Sequence, residues 1–183
     1  MRALVAIVGG PPVGIEQMLD AREERVARQG TALARFGRPL VSMTLVMPGP
    51  LKDGWLQRSV LELALGELET TASGRRWPVL SREVSWQQTG PEALYVIDGE
   101  PEILKAATIE LEDRHPLGRL WDLDVIAPGP RMLSRKQLGH PERRCLVCDQ
   151  PARECARSRR HPLERVLDAI ARIASDFGLH ADA

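Results

Sequence analysis

The sequence predicts an α+β fold in a single domain: a mixed sheet flanked by helices, with a small Cys/His-rich loop and a C-terminal helix. Segments of helical periodicity alternate with short runs of β-formers; one such run, Trp121-Asp122-Leu123-Asp124-Val125-Ile126, sets two acids among apolar residues; and all the cysteines fall close together late in the chain. A chain of 183 residues can bury one substantial core. The expected divisions are a core over 1–142, the Cys/His loop over 143–161 and the helix over 162–183.

The first helix is predicted from Gln17 to Phe36, with Arg22, Arg25 and Arg28 three apart, closed by Gly37 and Pro39. Pro39 to Met47 alternates and reads as a strand stopped by Pro48-Gly49-Pro50. Asp53 is expected to cap a helix carrying Trp55, Leu56, Val60, Leu61 and Leu68. Trp77–Trp86 and Ala93–Ile97 form a hairpin around Gly90-Pro91, and Pro101 to Arg114 is a helix. Its apolar face is assigned to Ile103, Leu104, Ala106, Ala107, Ile109 and Leu111, away from Lys105, Thr108 and Glu112. After Gly118 comes the acid-bearing strand, and Pro162 to Leu179 is an amphipathic helix packing on the domain.

Net charge is zero and no apolar run approaches the roughly 20 residues that span a bilayer, so bulk adhesion to nucleic acid or membrane is not expected. Residues 1–10 read as a poor export signal, which assigns the chain to the cytoplasm. Ten basic residues nevertheless crowd between Arg131 and Arg165 against four acids.

On a strand, alternate side chains share a face, so Asp122 and Asp124 project together while Trp121, Leu123 and Val125 turn to the core. Two like charges so close stay ionised only beside a compensating cation, and magnesium is the oxygen-seeking ion that also accepts phosphate ligands. Asp-x-Asp also describes a solvated strand end. Cys145-x-x-Cys148, Cys155 and His161 supply the donors of a tetrahedral zinc site, structural because all four positions are filled. The arginines at 143, 144, 153 and 157 are expected to favour the thiolate forms.

These segments together resemble the transferases that attach the prosthetic group of citrate lyase, the holo-citrate lyase synthase or apo-citrate lyase phosphoribosyl-dephospho-CoA transferase family. The matching stretches are Arg22 to Gln29, Val41 to Thr44 with Pro48 to Asp53, Ala107 to Glu112, His115 to Val125, and Arg143 to Cys148 through Cys155-Ala156-Arg157 and His161. The order helix, glycine, Asp-x-Asp strand is also similar to the polymerase-β type of nucleotidyltransferase, which implies a nucleotidyltransferase-like sheet with Gly118 close to phosphates. The resemblance implies nucleotidyl transfer from 2′-(5″-triphosphoribosyl)-3′-dephospho-CoA to a serine of the acyl carrier (gamma) subunit, with pyrophosphate released.

Under that reading Asp122 and Asp124 hold magnesium, and a further carboxylate is sought in Glu110, Glu112 or Asp53. Glu110 falls in the apolar arc of its helix, where it serves either catalysis or an ion pair with Arg119. His115 is a possible proton relay. Arg22, Arg25, Lys52, Gly118 and Arg119 are the expected donor-binding residues. Two other classes compete: a zinc knuckle binding nucleic acid through Arg143, Arg144, Arg157, Arg159 and Arg160, and a non-catalytic assembly factor. An aromatic content of 4% leaves the first short of stacking platforms, and the second has no use for paired strand acids.

Overall fold

The computed structural model describes residues 10–129 and 131–180, and the stretch read above as a poor export signal falls almost wholly outside them. Helix α1 spans Ile15–Phe36, strand β1 Leu40–Leu45, α2 Trp55–Gly74, β2 Val79–Gln87, β3 Gly90–Ile97 and α3 Pro101–Arg114. After a short 3₁₀ turn at Gly118–Leu120 come β4 (Trp121–Ala127), β5 (Arg131–Leu133), α4 (Ala152–Ser158) and α5 (Leu163–Asp176). The α+β class is as expected. The sheet order is β2-β3-β1-β4-β5, and every pairing is antiparallel rather than mixed. None of the described helices is long and apolar enough to cross a membrane.

Alternation along the strands divides the sheet into two unlike faces. On one, Val41 and Met43 of β1, Tyr95 and Ile97 of β3, and Trp121, Leu123 and Val125 of β4 form the main core with Leu56, Val60, Leu61 and Leu68 of α2, Leu104 of α3 and Ile170 of α5. Burying each such side chain contributes about 1.5–3 kcal/mol. The indole N–H of Trp121 donates to the Val60 carbonyl at 3.1 Å, so even the polar atom of this buried ring is paired. On the other face Leu40, Leu94, Val96 and Ile126 pack under Leu33 and Phe36 at the C-terminal end of α1.

Gly37, at φ 60°, closes α1 by donating its N–H to the Leu33 carbonyl at 2.9 Å. Asp53 does not cap α2, because its carboxylate accepts two hydrogen bonds of 2.8 Å from the guanidinium of Arg58. The hairpin turns at Gln88-Thr89, and Gly90 and Pro91 are already in register with Gln87 and Trp86 on β2.

The face of α3 differs most from expectation: Ile103 is exposed, whereas Lys105, Thr108 and Glu112 are buried. The cause lies in β4. Strand β5 pairs only with Val125–Ala127, so the outward backbone groups of Trp121 and Leu123 lack a strand partner. The Leu123 N–H donates to Glu112 Oε1 at 2.8 Å, Lys105 Nζ donates to the Leu123 carbonyl at 2.9 Å, and Arg143 Nη1 donates to the Trp121 carbonyl at 2.6 Å. Glu112 Oε2 also accepts from Arg135 at 3.0 Å, which compensates its buried charge.

Gly118 lies where no side chain fits, since a Cβ there would stand 2.4 Å from the Leu111 carbonyl oxygen and 2.6 Å from that of Glu112. Gly118→Ala should therefore destabilise the protein by about 1–3 kcal/mol or more through forced backbone movement. Gly66→Ala, in an exposed and open position of α2, should be stabilising by about 0.5–1 kcal/mol from helix propensity. Urea unfolding of both variants checks the pair; an unaltered midpoint for Gly118→Ala would show that the close packing is not required.

Candidate active site

The second face of the sheet changes character along its length. Beyond the apolar patch, the same alternation brings Ser42 and Thr44 of β1, Glu92 of β3, and Asp122 and Asp124 of β4 onto one floor; Ser42 is in register with Asp124 and Thr44 with Asp122. The N-terminal half of α1 overhangs this floor with Met18, Arg22, Arg25 and Gln29, and the Gln29 amide donates to Ser42 Oγ at 2.9 Å. Between them opens a cavity of about 1070 Å³. Lys52 enters from the turn after β1, and Cys145, Cys155, Arg159 and His161 form the opposite wall.

Asp122 and Asp124 share a face and both reach the cavity, as the strand period requires. Burial first, and then the charge of Asp122, push the Asp124 carboxyl up to about 6; Lys105 and Arg25 oppose the shift without cancelling it. Arg143 Nη1 stands 3.7 Å from Asp122 Oδ1. A pair of acids in this condition has the chemistry of a divalent-cation site: two carboxylate donors on a rigid strand, with a surplus of negative charge that a cation would neutralise.

The cations divide into committed and available groups. Glu92, buried on the floor, accepts from Arg25 Nη1 at 2.8 Å and from Arg28, while Arg28 also reaches Glu83 at 2.9 Å. Arg22 makes no ion pair with a described residue. Lys52 donates to the Met47 carbonyl at 2.6 Å, and burial, followed by the charge of Arg22, holds its ammonium below the ordinary lysine value. Arg22 and Lys52 thus line the cavity as two cations close enough to feel each other's charge.

Other candidate residues lie elsewhere. Glu110 is 44% exposed and pairs with Arg114 at 2.6 Å and Arg75 at 3.5 Å, so the acid predicted for the apolar arc sits in solvent. Glu112 is the buried acid of α3, but it faces the edge of β4 and does not line the cavity. Gly118 is packed against α3 away from the cavity, and Arg119 donates to the Arg144 carbonyl. His115 stacks on Trp121 with centroids 4.3 Å apart and accepts the Leu117 N–H at Nδ1; burial holds its imidazole below the ordinary value. Asp53 is taken by Arg58.

Glu92 is not among the residues singled out from the sequence because Gly90-Pro91 reads as the hairpin turn and the second strand as starting at Ala93, which leaves Glu92 outside it. The signal was present: Glu92, Leu94 and Val96 alternate with Ala93, Tyr95 and Ile97, which puts the acid on the face opposite the core.

The ligand atoms of Cys145, Cys148, Cys155 and His161 all lie within 4.8 Å of one another. Cys148 Sγ is 3.6 Å from Cys155 Sγ and 3.2 Å from His161 Nε2. Sulfurs bound tetrahedrally to zinc at about 2.3 Å would stand roughly 3.8 Å apart, so the donors fit such a metal. Arg159 adopts a left-handed φ of 48° to turn the chain from α4 back toward His161. Burial acts to raise the Cys145 thiol, but the Val147 and Cys148 N–H groups outweigh it and lower the value. Burial and the neighbouring thiols push Cys155 up to about 11. Among the arginines expected to favour thiolates, Arg143 points instead to carbonyls near Gly118, and Arg144 pairs with Asp149.

Paired carboxylates floor the cavity, with cations unpaired among the described residues above them and a Cys/His wall that could hold a metal beside them, and the relatives of this chain define it as a transferase. Residues 13–177 match the family described as apo-citrate lyase phosphoribosyl-dephospho-CoA transferase. A Citrobacter koseri protein of that description is 43% identical over 164 residues, 90% of each chain. Relatives from Escherichia coli O157:H7 and Shigella boydii, described in the same words, are each 39% identical over 176 residues, 96% of each chain. The chain belongs to the apo-citrate lyase phosphoribosyl-dephospho-CoA transferase family.

The raised Asp124 carboxyl has a consequence for stability. A carboxyl whose folded value exceeds its unfolded one costs stability once ionised, so the penalty is full above about pH 6, fades as pH falls and is gone below the unfolded value of 3.8. In buffer free of divalent ions, Asp124→Asn should melt above the parent protein at pH 7.5, with the gap closing toward pH 4. Calorimetry across that range checks the sign; a lower melting temperature at pH 7.5 would refute the penalty that burial and Asp122 place on the ionised Asp124.

Proposed function

We propose that this chain transfers the phosphoribosyl-dephospho-CoA group from 2′-(5″-triphosphoribosyl)-3′-dephospho-CoA to a serine hydroxyl of the acyl carrier (gamma) subunit of citrate lyase, releasing pyrophosphate. The observation that carries the reading is the placement of Asp122 and Asp124 side by side on a cavity floor, under Arg22 and Lys52, which have no carboxylate partner among the described residues. Family membership supplies the group and acceptor, and the site supplies the chemistry.

In this reading the serine oxygen forms a bond to the α-phosphorus of the donor as its hydroxyl proton passes to solvent water, and the α–β bridging P–O bond breaks, its electrons leaving with pyrophosphate. The protein's contribution is position and charge rather than covalent help. Asp122 and Asp124 fit a magnesium ion because burial and their mutual repulsion disfavour the ionised pair beyond what Lys105 and Arg25 offset. Bound there, magnesium would offset the negative charge that grows on the leaving group. Arg22 and Lys52 would hold the triphosphate from the α1 side, and Arg25, kept in place by Glu92, would add a third positive group. Zinc in the Cys/His site has a structural role here: all four ligand positions are filled by protein, and the loop it closes forms one wall of the cavity.

The test is to incubate the protein with apo-carrier, magnesium and the triphosphoribosyl donor and to weigh the carrier by mass spectrometry. The carrier should gain the mass of the group; an unchanged mass rejects the transferase assignment to this acceptor. Asp122→Asn and Asp124→Asn should each slow transfer at least about 100-fold while remaining folded, and a variant that keeps full activity has no part in the cation site. Zinc analysis should return one ion per chain and close to none for Cys145→Ser; parent protein without zinc under non-chelating purification would end the zinc reading.

A further inference from the structure

Two arginines cross-link the Cys/His loop to the turn that feeds the acid-bearing strand, each reaching backbone carbonyls in the other's segment. Arg143 stands two residues before Cys145. Its Nη1 donates to the Trp121 carbonyl at 2.6 Å, and its Nη2 donates to the carbonyls of Gly118 and Arg119 at 3.1 Å each. The same Nη1 is 3.7 Å from Asp122 Oδ1 and 3.7 Å from Glu112 Oε1. In the return direction, Arg119 donates to the Arg144 carbonyl. Behind Arg143 the loop closes on itself, with the Ala152 N–H donating to the Arg143 carbonyl and the Cys145 N–H to the Gln150 carbonyl, both at 2.8 Å.

These contacts differ from surface arginine pairing. The Arg143 side chain is only 16% exposed, and three of its partners are neutral backbone carbonyls in one tight turn. A planar guanidinium can serve several acceptors at fixed angles, whereas an ammonium on a flexible stem cannot reproduce the set. From residue 143 to residue 161 the loop has little core of its own: Leu146 reaches the main cluster and Cys155 is buried, but most other side chains are polar or exposed. The chain's position there depends on the ligand cluster and on this arginine pair.

We propose that Arg143 and Arg119 are positioning residues that couple the Cys/His site to the carboxylate pair. A metal held by Cys145, Cys148, Cys155 and His161 fixes the backbone from which Arg143 reaches out. Arg143 in turn fixes the Trp121 carbonyl at the start of the strand that carries both acids, so the pair is held in its binding geometry and its cation affinity is higher when the Cys/His site is loaded, against the opposing charge that Arg143 keeps 3.7 Å from Asp122 Oδ1. Thermodynamic linkage makes the effect reciprocal: a cation on the carboxylates slows loss of metal from the loop. The inference rests on the reading of Asp122 and Asp124 as a cation site, and it assigns to the loop metal an influence on the reaction centre beyond folding the loop.

Manganese, visible by electron paramagnetic resonance, is the probe for the carboxylate site, and a chromophoric chelator reports the rate of zinc release. Four full-length proteins are compared, each zinc-loaded and chelator-stripped: the parent, Arg143→Lys, Arg119→Gln and Asp124→Asn, with circular dichroism checking the fold. Stripping the parent should weaken manganese binding roughly tenfold, within the usual range of coupling between sites. Loaded Arg143→Lys should show a similar weakening and little further loss on stripping, and manganese should slow zinc release from the parent but not from this variant. Arg119→Gln, which removes the more exposed half of the cross-link, should show the same pattern in weaker form and stands in if Arg143→Lys does not fold. Equal manganese affinity in loaded and stripped parent, or full sensitivity to stripping in Arg143→Lys, overturns the coupling. If Asp124→Asn binds manganese as tightly as the parent, the cation-site reading falls and the coupling with it. Binding lost in Asp124→Asn, together with parent binding that does not respond to stripping, overturns the coupling alone.

Discussion

Strand β4 must present two repelling carboxylates to a cavity while half of its outer edge has no neighbouring strand. Unpaired backbone groups at a buried edge cost about as much as lost hydrogen bonds, and a loosely held strand could not keep Asp122 and Asp124 in fixed relation. The protein meets this with buried charge. Glu112 and Lys105, one turn pair apart on α3, take the N–H and carbonyl of Leu123, and Arg143 takes the carbonyl of Trp121. The acids at the cavity depend on charged groups behind them that never enter it.

The same sheet face serves two purposes because the strands change composition along their length. Leu40, Leu94, Val96 and Ile126 seal α1 to the sheet, and a few ångström further along Ser42, Thr44, Glu92, Asp122 and Asp124 take the same facing positions. Helix α1 is therefore anchored at its C-terminal end and spans the cavity at its N-terminal end. Its arginine stripe is not uniform: Arg25 and Arg28 are pinned by Glu92, whereas Arg22 is left to meet Lys52 across the opening. Such a division leaves Arg22 and Lys52 as cavity-lining cations without a carboxylate partner among the described residues.

The Cys/His cluster belongs to the active-site architecture as well as to loop stability. Cys145, Cys155 and His161 line the cavity that the aspartates floor, and α5 continues from the cluster into the main core through Ile170 and Ala174. Metal ligands, cavity wall and core helix are consecutive in the chain. A disturbance at the cluster has a short covalent and hydrogen-bonded route to Asp122.

Periodicity and donor chemistry alone determined the α+β class, the extents of α1, α3 and α5 to within a few residues, the shared face of Asp122 and Asp124, and the Cys145, Cys148, Cys155 and His161 set, because these follow from repeats of two or 3.6 residues and from ligand types close together in sequence; the short helix α4 inside the Cys/His loop was not among them. Tertiary structure decided what lies opposite each of those elements. Residue spacing could not reveal that β5 stops short of Trp121, and that missing strand is why α3 buries Lys105 and Glu112 and exposes Ile103. Nor could it reveal that Arg143 spans the gap to Gly118, or that Glu92, 64 and 67 residues from Arg28 and Arg25, claims their charge. Local sequence encodes which way a side chain points; whether it meets a backbone, a counter-charge or open space depends on segments distant in the chain, and it is that meeting which separates a structural charge from one free to bind a ligand.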